Sequence, residues 1–161
     1  MEPRATETRQ VNGQEIFLRY WGSPDLPPLL MLHGFPEYGG AWSELAARLC
    51  NRFHCIAPDQ RGYGQSSAPE GIEPYAMAHL MADMAALIED LSTEPVTVIS
   101  HDWGASVGYA LAMFRPELVA RLIVMNGVHP VPFQPALAAG GPQPAASQYI
   151  NHLPRQGASR H

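Results

Sequence analysis

Residues 100–109 read SHDWGASVGY, and they follow directly on the apolar run Val96–Ile99. A charged side chain, Asp102, therefore stands between a segment typical of a buried strand and the small residues Gly104–Ser106, which suit the start of a helix. Carboxylates are rarely buried without a partner or a function. The stretch predicts a strand, a tight turn that presents Asp102, and a helix, and this unit decides the fold.

Short apolar runs recur along the chain, and their hydrophobicity is continuous rather than alternating, as in strands buried on both faces of a parallel sheet. An Asn-Gly pair within Gln10–Gln14 predicts a hairpin ahead of them, with Glu15–Trp21 as its second strand. The alternation of strands with segments of helical spacing predicts an α/β fold with a doubly wound, mostly parallel sheet. The apolar runs are Leu29–Leu32, Phe53–Ala57, Val96–Ile99 and Leu122–Met125, and the helical segments are Trp42–Leu49, Tyr75–Leu91 and Gly104–Phe114.

The composition indicates a globular protein. The 161 residues are 46% hydrophobic and 16% charged, with a formal net charge of −5. No Lys/Arg cluster indicates a nucleic acid partner, no apolar run approaches the length of a membrane span, and the polar N-terminus does not resemble a signal peptide. We therefore expect no nucleic acid or membrane partner and a cytoplasmic location, with Cys50 and Cys55 as reduced thiols rather than a disulfide. The oligomeric state stays open.

The composition changes near residue 129. Six of the 16 prolines lie in the last 32 residues, and no Asp or Glu follows Glu117. These changes predict a domain boundary that separates residues 1–129 from 130–161. Within the second part we expect Pro130–Pro144 to be a connecting segment and Ala145–Leu153 to be a short helix.

Three predicted strands end in polar or glycine-containing turns, which are His33–Glu37, Asp59–Gly64 and His101–Gly104. In open α/β sheets, ligands bind beyond the carboxyl ends of the strands. We therefore expect the three turns to face one pocket.

Asp102 has two interpretations on this evidence. Ser100 and Gly104 are small residues placed two positions to either side, the pattern of a nucleophile elbow in which Asp replaces the usual Ser. Alternatively, Asp102 is an ordinary helix N-cap. A dinucleotide site is excluded because the turn lacks the G-x-G-x-x-G spacing and an ionised aspartate repels a pyrophosphate. His33 and His101 lack the spacing of a metal ligand set, so we expect neither a metal nor a cofactor.

Several motifs together resemble an α/β-hydrolase of the epoxide hydrolase type, with haloalkane and haloacetate dehalogenases as near relatives. They are LHGFPE (32–37) followed by Trp42, APDQRGYGQSSAP (57–69), SHDWGASVGYALAMFRPELVARLIVMN (100–126) and HPVPF (129–133). The resemblance covers about residues 10–135, and HDWGA with the later His-Pro pair favours the epoxide hydrolases. It implies an α/β-hydrolase fold truncated after the sixth strand. Residues 1–129 would form the N-terminal part of the core, and residues 130–161 would form the start of a cap segment, incomplete or disordered.

The same resemblance implies roles for individual residues. Asp102 would be the nucleophile, and the backbone N–H groups of Phe35 and Trp103 would form the oxyanion hole. His33 would hold the turn at Gly34 through hydrogen bonds. Arg61 and Tyr63 would shape the neighbouring turn, or would simply be surface loop residues. The remaining supporting positions are His101 and Gly104.

The chain departs from the family pattern in its second half. The nucleophile should be followed by an acid and then by a histidine base. The only later carboxylate, Glu117, precedes a strand and so lies at the wrong end of the sheet, while Asn126 occupies the alternative position for the acid. None of the later histidines, His129, His152 and His161, stands where the base is expected, and Tyr149 is interpreted as a packing residue of the cap.

Three functional hypotheses remain at this point. The first is an epoxide hydrolase-like enzyme that opens epoxides to diols through an ester on Asp102, although this chain lacks the base and its acid. The second is a dehalogenase of the same fold. The third is a catalytically inactive fragment or binding module.

Overall fold

A computed structural model describes residues 1–148 of the chain. Six strands form one mixed sheet in the order β1-β2-β4-β3-β5-β6. The pairs β1–β2 and β2–β4 are antiparallel, and β4, β3, β5 and β6 run parallel to one another. The strands are β1 (Ala5–Val11), β2 (Gln14–Trp21), β3 (Pro28–Leu32), β4 (His54–Pro58), β5 (Val96–His101) and β6 (Val119–Met125). The α/β fold expected from the alternation of apolar runs is confirmed.

The hairpin forms at the predicted Asn-Gly pair. Asn12 and Gly13 both have positive φ, 50° and 74°, as a two-residue hairpin turn requires. Val11 pairs with Gln14, and the ladder continues to Ala5 opposite Tyr20.

The parallel part of the sheet reverses its winding direction at β3. After β3 the chain crosses to β4 on one side, and it later returns to β5 on the other side. The loops that follow β3, β4 and β5 therefore lie at the carboxyl ends of neighbouring strands. This arrangement is a topological switch point, where open α/β sheets bind ligands.

Helices connect the strands close to the predicted ranges. They are α1 (Ser43–Leu49), α2 (Met77–Leu91), α3 (Trp103–Phe114), α4 (Pro130–Ala138) and α5 (Pro142–Ala146), with short 3₁₀ helices at Gly39–Trp42, Glu73–Tyr75 and Pro116–Leu118. The predicted start of α2 at Tyr75 is wrong, because Ala76 has an extended ψ of 144° and separates the 3₁₀ helix from α2. Within residues 1–148, no helix is long and apolar enough to cross a membrane.

Two apolar clusters cover the two faces of the sheet. Leu30 and Leu32 of β3 point into the cluster that contains α2 and α3, whereas Leu29 and Met31 point into the cluster that contains α1. This alternation follows from the two-residue period of a strand. The continuous apolar run Leu29–Leu32 is therefore explained by burial on both faces.

The chain divides into two compact units, Met1–Gly127 and Val128–His161. In the second unit, the prediction that Pro130–Pro144 is a connecting segment is wrong, because the segment contains α4 and the start of α5. Its prolines are compatible with helix because most lie in a first turn, where the N–H groups have no intrahelical acceptor. The helix predicted over Ala145–Leu153 ends at Ala146, and residues 149–153 lie outside the described residues.

Candidate active site

The turn between β5 and α3 holds Asp102 in a strained conformation. Its φ is 50° and its ψ is −117°, a combination that non-glycine residues rarely adopt. The backbone N–H of Asp102 donates to the carbonyl of Met125 at 3.3 Å. At Gly104, a Cβ atom would overlap the carbonyl oxygens of Leu32 and His33. The small residue at this position therefore lets the helix start approach β3, and the tight turn predicted between the strand and the helix is confirmed.

The Asp102 carboxylate turns away from its own helix. Although Asp102 occupies the N-cap position of α3, its side chain makes no capping hydrogen bond. Instead, Oδ1 accepts the backbone N–H of Phe35 at 2.9 Å. A Cβ atom on Gly34 would lie only 2.6 Å from the Asp102 Cβ and 2.9 Å from its Oδ1. The interpretation of Asp102 as an ordinary N-cap is wrong.

A second backbone donor lies beside Asp102. Trp103 is the first residue of α3, and the first N–H groups of a helix have no intrahelical acceptor. Phe35 and Trp103 are 40% and 45% exposed. The Phe35 N–H therefore contacts the Asp102 carboxylate directly, and the N–H of Trp103, which has no intrahelical acceptor, stands next to Asp102 in the chain.

His33 joins the loops that follow β3 and β4. Its Nδ1 donates to the Gly34 carbonyl at 2.9 Å, and its Nε2 accepts the Gln60 N–H at 3.0 Å. The Gln60 side-chain amide donates to the His33 carbonyl at 2.7 Å. Burial lowers the pKa of His33, so the ring is neutral at neutral pH. The two hydrogen bonds occupy both of its ring nitrogens. His33 has the hydrogen bonds expected of a residue that holds the Gly34 turn.

Arg61 and Tyr63 belong to the loop after β4. Arg61 is buried and forms two hydrogen bonds with Asp83 of α2, at 2.8 and 2.7 Å, so its interpretation as a surface residue is wrong. The Tyr63 ring packs edge-on against His33 with 5.0 Å between centroids. Burial and the nearby Asp102 charge raise the pKa of Tyr63, which keeps its phenol protonated. Hydrogen bonds thus bring the three turns into contact, as expected, while the single pocket that they face stays a prediction.

Glu37 links the loop after β3 to the end of β5. Its Oε2 accepts the N–H of Gly34 at 3.1 Å and lies 3.1 Å from Nδ1 of His101. His101 therefore supports the turn through a carboxylate that the sequence analysis assigned no role. The sequence signal that could have identified Glu37 is its short distance from Gly34. A carboxylate three residues later in the chain can accept a hydrogen bond from a backbone N–H.

The later candidates lie elsewhere in the fold. Glu117 precedes β6 and binds Arg115 at 2.5 Å, and this hydrogen bond lowers the pKa of the Glu117 carboxyl. Asn126 follows β6 with a φ of 50°. In the second unit, the ring of His129 accepts the N–H of Val131 and caps α4. Tyr149, His152 and His161 lie outside the described residues, and within residues 1–148 no group of three metal-ligating side chains is found.

The six-stranded sheet reverses its winding direction at β3, and a strained aspartate lies between β5 and α3. This combination is characteristic of the α/β hydrolases. A model of the α/β hydrolase fold matches residues 27–149. The chain belongs to the α/β-hydrolase family.

Three known proteins are similar to this chain in sequence or structure. YfhM, an AB hydrolase superfamily protein of Bacillus subtilis, is 39% identical over 143 residues, which are 88% of this chain and 50% of that protein. Epoxide hydrolase 2 of Caenorhabditis elegans is 40% identical over 112 residues, which are 70% of this chain and 32% of that protein. The crystal structure of a Bacillus megaterium epoxide hydrolase in complex with an inhibitor has a TM-score of 0.85 at 36% identity, and the match covers 91% of this chain and 51% of that chain. The chain spans at most about half the length of these relatives.

Proposed function

We propose that the chain carries the nucleophilic half of an epoxide hydrolase, with Asp102 as the nucleophile of a nucleophile elbow. One observation carries the proposal: a backbone at positive φ aims the Asp102 carboxylate at the Phe35 N–H, 2.9 Å away, instead of at its own helix. The similarity to epoxide hydrolases supports the choice of substrate. Strained backbone of this kind is concentrated at functional sites.

In the first step, a carboxylate oxygen of Asp102 attacks an epoxide carbon. The carbon–oxygen bond of the ring breaks, and the released alkoxide takes up a proton from solvent water to leave a hydroxyalkyl ester on Asp102. The Phe35 N–H positions the carboxylate for this attack, because it fixes one oxygen and leaves the other free.

In the second step, water adds to the carboxyl carbon of the ester. The negative charge develops on the carbonyl oxygen of the ester, which the N–H groups of Phe35 and Trp103 would stabilise as an oxyanion hole. The intermediate then releases the diol and restores the Asp102 carboxylate. His33 is not the base for this step, because both of its ring nitrogens are occupied. We place the base and its acid in the part of the family fold that this chain does not span.

The proposal is tested by the mass of the protein after incubation with styrene oxide. The expected result is one adduct of the epoxide's mass on the peptide that contains Asp102, and its loss in Asp102→Asn. Asp90→Asn, which changes an exposed carboxylate, serves as the matched control and should keep the adduct. Equal labelling of the wild type and Asp102→Asn would contradict the proposal. A parallel incubation with an alkyl bromide tests the dehalogenase hypothesis, in which the same residue is alkylated and bromide is released.

The proposed partner is a small-molecule substrate, and the proposed location is the cytoplasm. The two free thiols, Cys50 and Cys55, support this location, because a reducing compartment keeps thiols in that form. Burial raises the pKa of the Cys55 thiol to about 11, so it is protonated and unreactive at neutral pH.

A further inference from the structure

A buried carboxylate next to the site, Asp59, joins three separate segments of the chain. It is fully buried and directly follows β4, at the same edge of the sheet as Asp102. Its Oδ1 accepts the Gly39 N–H at 2.8 Å and forms a salt bridge with Arg19, and its Oδ2 accepts the Gln65 N–H at 2.9 Å. None of these contacts was expected from the sequence.

The two backbone donors belong to the loops that flank Asp102. Gly39 lies in the loop between β3 and α1, which also carries Phe35. Gln65 lies in the loop after β4, which carries Tyr63 and so contacts His33. A Cβ atom on Gly64 would overlap the Asp59 carboxylate, which shows how closely this loop is packed on it. One carboxylate therefore fixes both loops.

Arg19 contacts the β3–α1 loop at a second point. It comes from β2, and its guanidinium lies 4.7 Å from the centroid of the Phe17 ring and 4.9 Å from that of Tyr38. Tyr38 belongs to the β3–α1 loop, so the planar guanidinium is held between the sheet and the loop. Buried ion pairs rarely stabilise a protein more than apolar residues of the same size would. A role in fixing the geometry of the β3–α1 loop explains the buried ion pair of Arg19 and Asp59 better than a contribution to stability does.

We propose that Arg19 and Asp59 are positioning residues that hold the β3–α1 loop so that the Phe35 N–H meets the Asp102 carboxylate. The inference rests on the proposed function of Asp102 for its catalytic meaning, although the positioning itself is measurable without any reaction. Without the ion pair, Gly39 and Tyr38 lose their anchors, and the loop moves away from Asp102 while the sheet stays intact.

The test is hydrogen exchange of individual backbone amides in wild type, Asp59→Asn and Arg19→Met. Exchange of the Phe35 and Gly39 amides should accelerate about tenfold or more in both variants, relative to core amides such as Leu30 and Val98 in the same protein. Asp90→Asn, which breaks the exposed pair with Arg9, is the control and should leave the Phe35 rate unchanged. A purely structural role would accelerate all amides together and would overturn the proposal.

A second readout separates this inference from the proposed function. The rate of ester formation on Asp102 with styrene oxide should fall about tenfold in folded Asp59→Asn and Arg19→Met. If the wild type forms no ester, the proposed function fails, and the exchange rates still decide the positioning. If Asp59→Asn does not fold, Arg19→Met decides alone. Phe35 exchange within about twofold of the wild type in a folded variant overturns the inference.

Discussion

At the scale of the residue, the proposed chemistry depends on a strained aspartate, Asp102. A backbone like that of Asp102 costs on the order of 1–3 kcal/mol and persists only where its surroundings enforce it. Here the enforcing contacts are the close approach of Gly104 to β3, that of Gly34 to Asp102, and the hydrogen bond from Phe35. The strain keeps the carboxylate out of the capping position and directs it toward a neighbouring loop.

The close approach at Gly34 gives the first prediction. In Gly34→Ala, the new Cβ would lie 2.6 Å from the Asp102 Cβ, so the Phe35 turn must move away. Ester formation on Asp102 should fall about a hundredfold, the effect of misplacing reacting groups by roughly 1 Å. The rate of adduct formation measures this change. The matched control is Gly141→Ala, where nothing lies within 4 Å, and an equal loss of rate in both variants would refute the interpretation.

The second prediction concerns His33 and pH. Burial lowers its pKa below the ordinary value of 6.5, so below that pH the unfolded chain binds a proton that the folded protein does not. Stability is therefore fully present above pH 6.5 and declines on acidification, by at most about 1.4 kcal/mol per pH unit for this residue. Urea unfolding between pH 7.5 and 5.5 should show a shallower decline in His33→Gln than in the wild type. The exposed His79→Gln is the control, and equal slopes in wild type and His33→Gln would contradict the assignment.

At the scale of the element, β6 is the exposed edge of the sheet. It pairs with β5 alone within residues 1–148, and its outward-facing Ile123 and Met125 are 40% and 42% exposed. Leu122, by contrast, packs against Gly108 of α3. The apolar run Leu122–Met125 therefore lies in an edge strand of the described sheet. An apolar edge with unpaired backbone groups favours association between chains.

The third prediction follows from this edge. The chain should have low stability and should scatter light as it warms, and Ile123→Lys should reduce the scattering without changing the circular dichroism. Ile72→Lys makes the same change at an isolated loop residue that is 86% exposed, and it should have no effect. A monomer that unfolds cooperatively at an ordinary mesophile temperature, without scattering in the wild type, would be inconsistent with an aggregation-prone edge.

The elements also show what the sequence could predict. Strands buried on both faces produce continuous apolar runs, and the small residues around Asp102 indicate a tight turn, so both were predictable. The helices after Pro130 were missed because prolines at helix starts resemble those of a loop. The contacts of Glu37 with His101 and of Asp59 with Arg19 were missed because these partners lie far away in the sequence, and a single sequence does not show such contacts. Only the contact of Glu37 with Gly34, three residues away, left a signal in the sequence.

At the scale of the whole molecule, the described part contains the proposed nucleophile and its proposed backbone donors but no residue that we assign as the base. The match covers 51% of the Bacillus megaterium epoxide hydrolase. The chain alone should therefore form an ester on Asp102 without multiple turnover of epoxides or alkyl halides. Joining residues 1–127 to the remaining half of that hydrolase should restore turnover, since we propose that the base lies in the part of the fold that this chain does not span.

The central claim is that Asp102 is the nucleophile, and a single turnover of the joined protein in heavy-oxygen water tests it most directly. Because water adds to the carboxyl carbon of Asp102, heavy oxygen should appear in the peptide that contains Asp102, and the first diol should carry an ordinary oxygen from the side chain. Mass spectrometry of both species gives the answer. A labelled diol beside an unlabelled Asp102 peptide would show direct attack by water and would contradict the account.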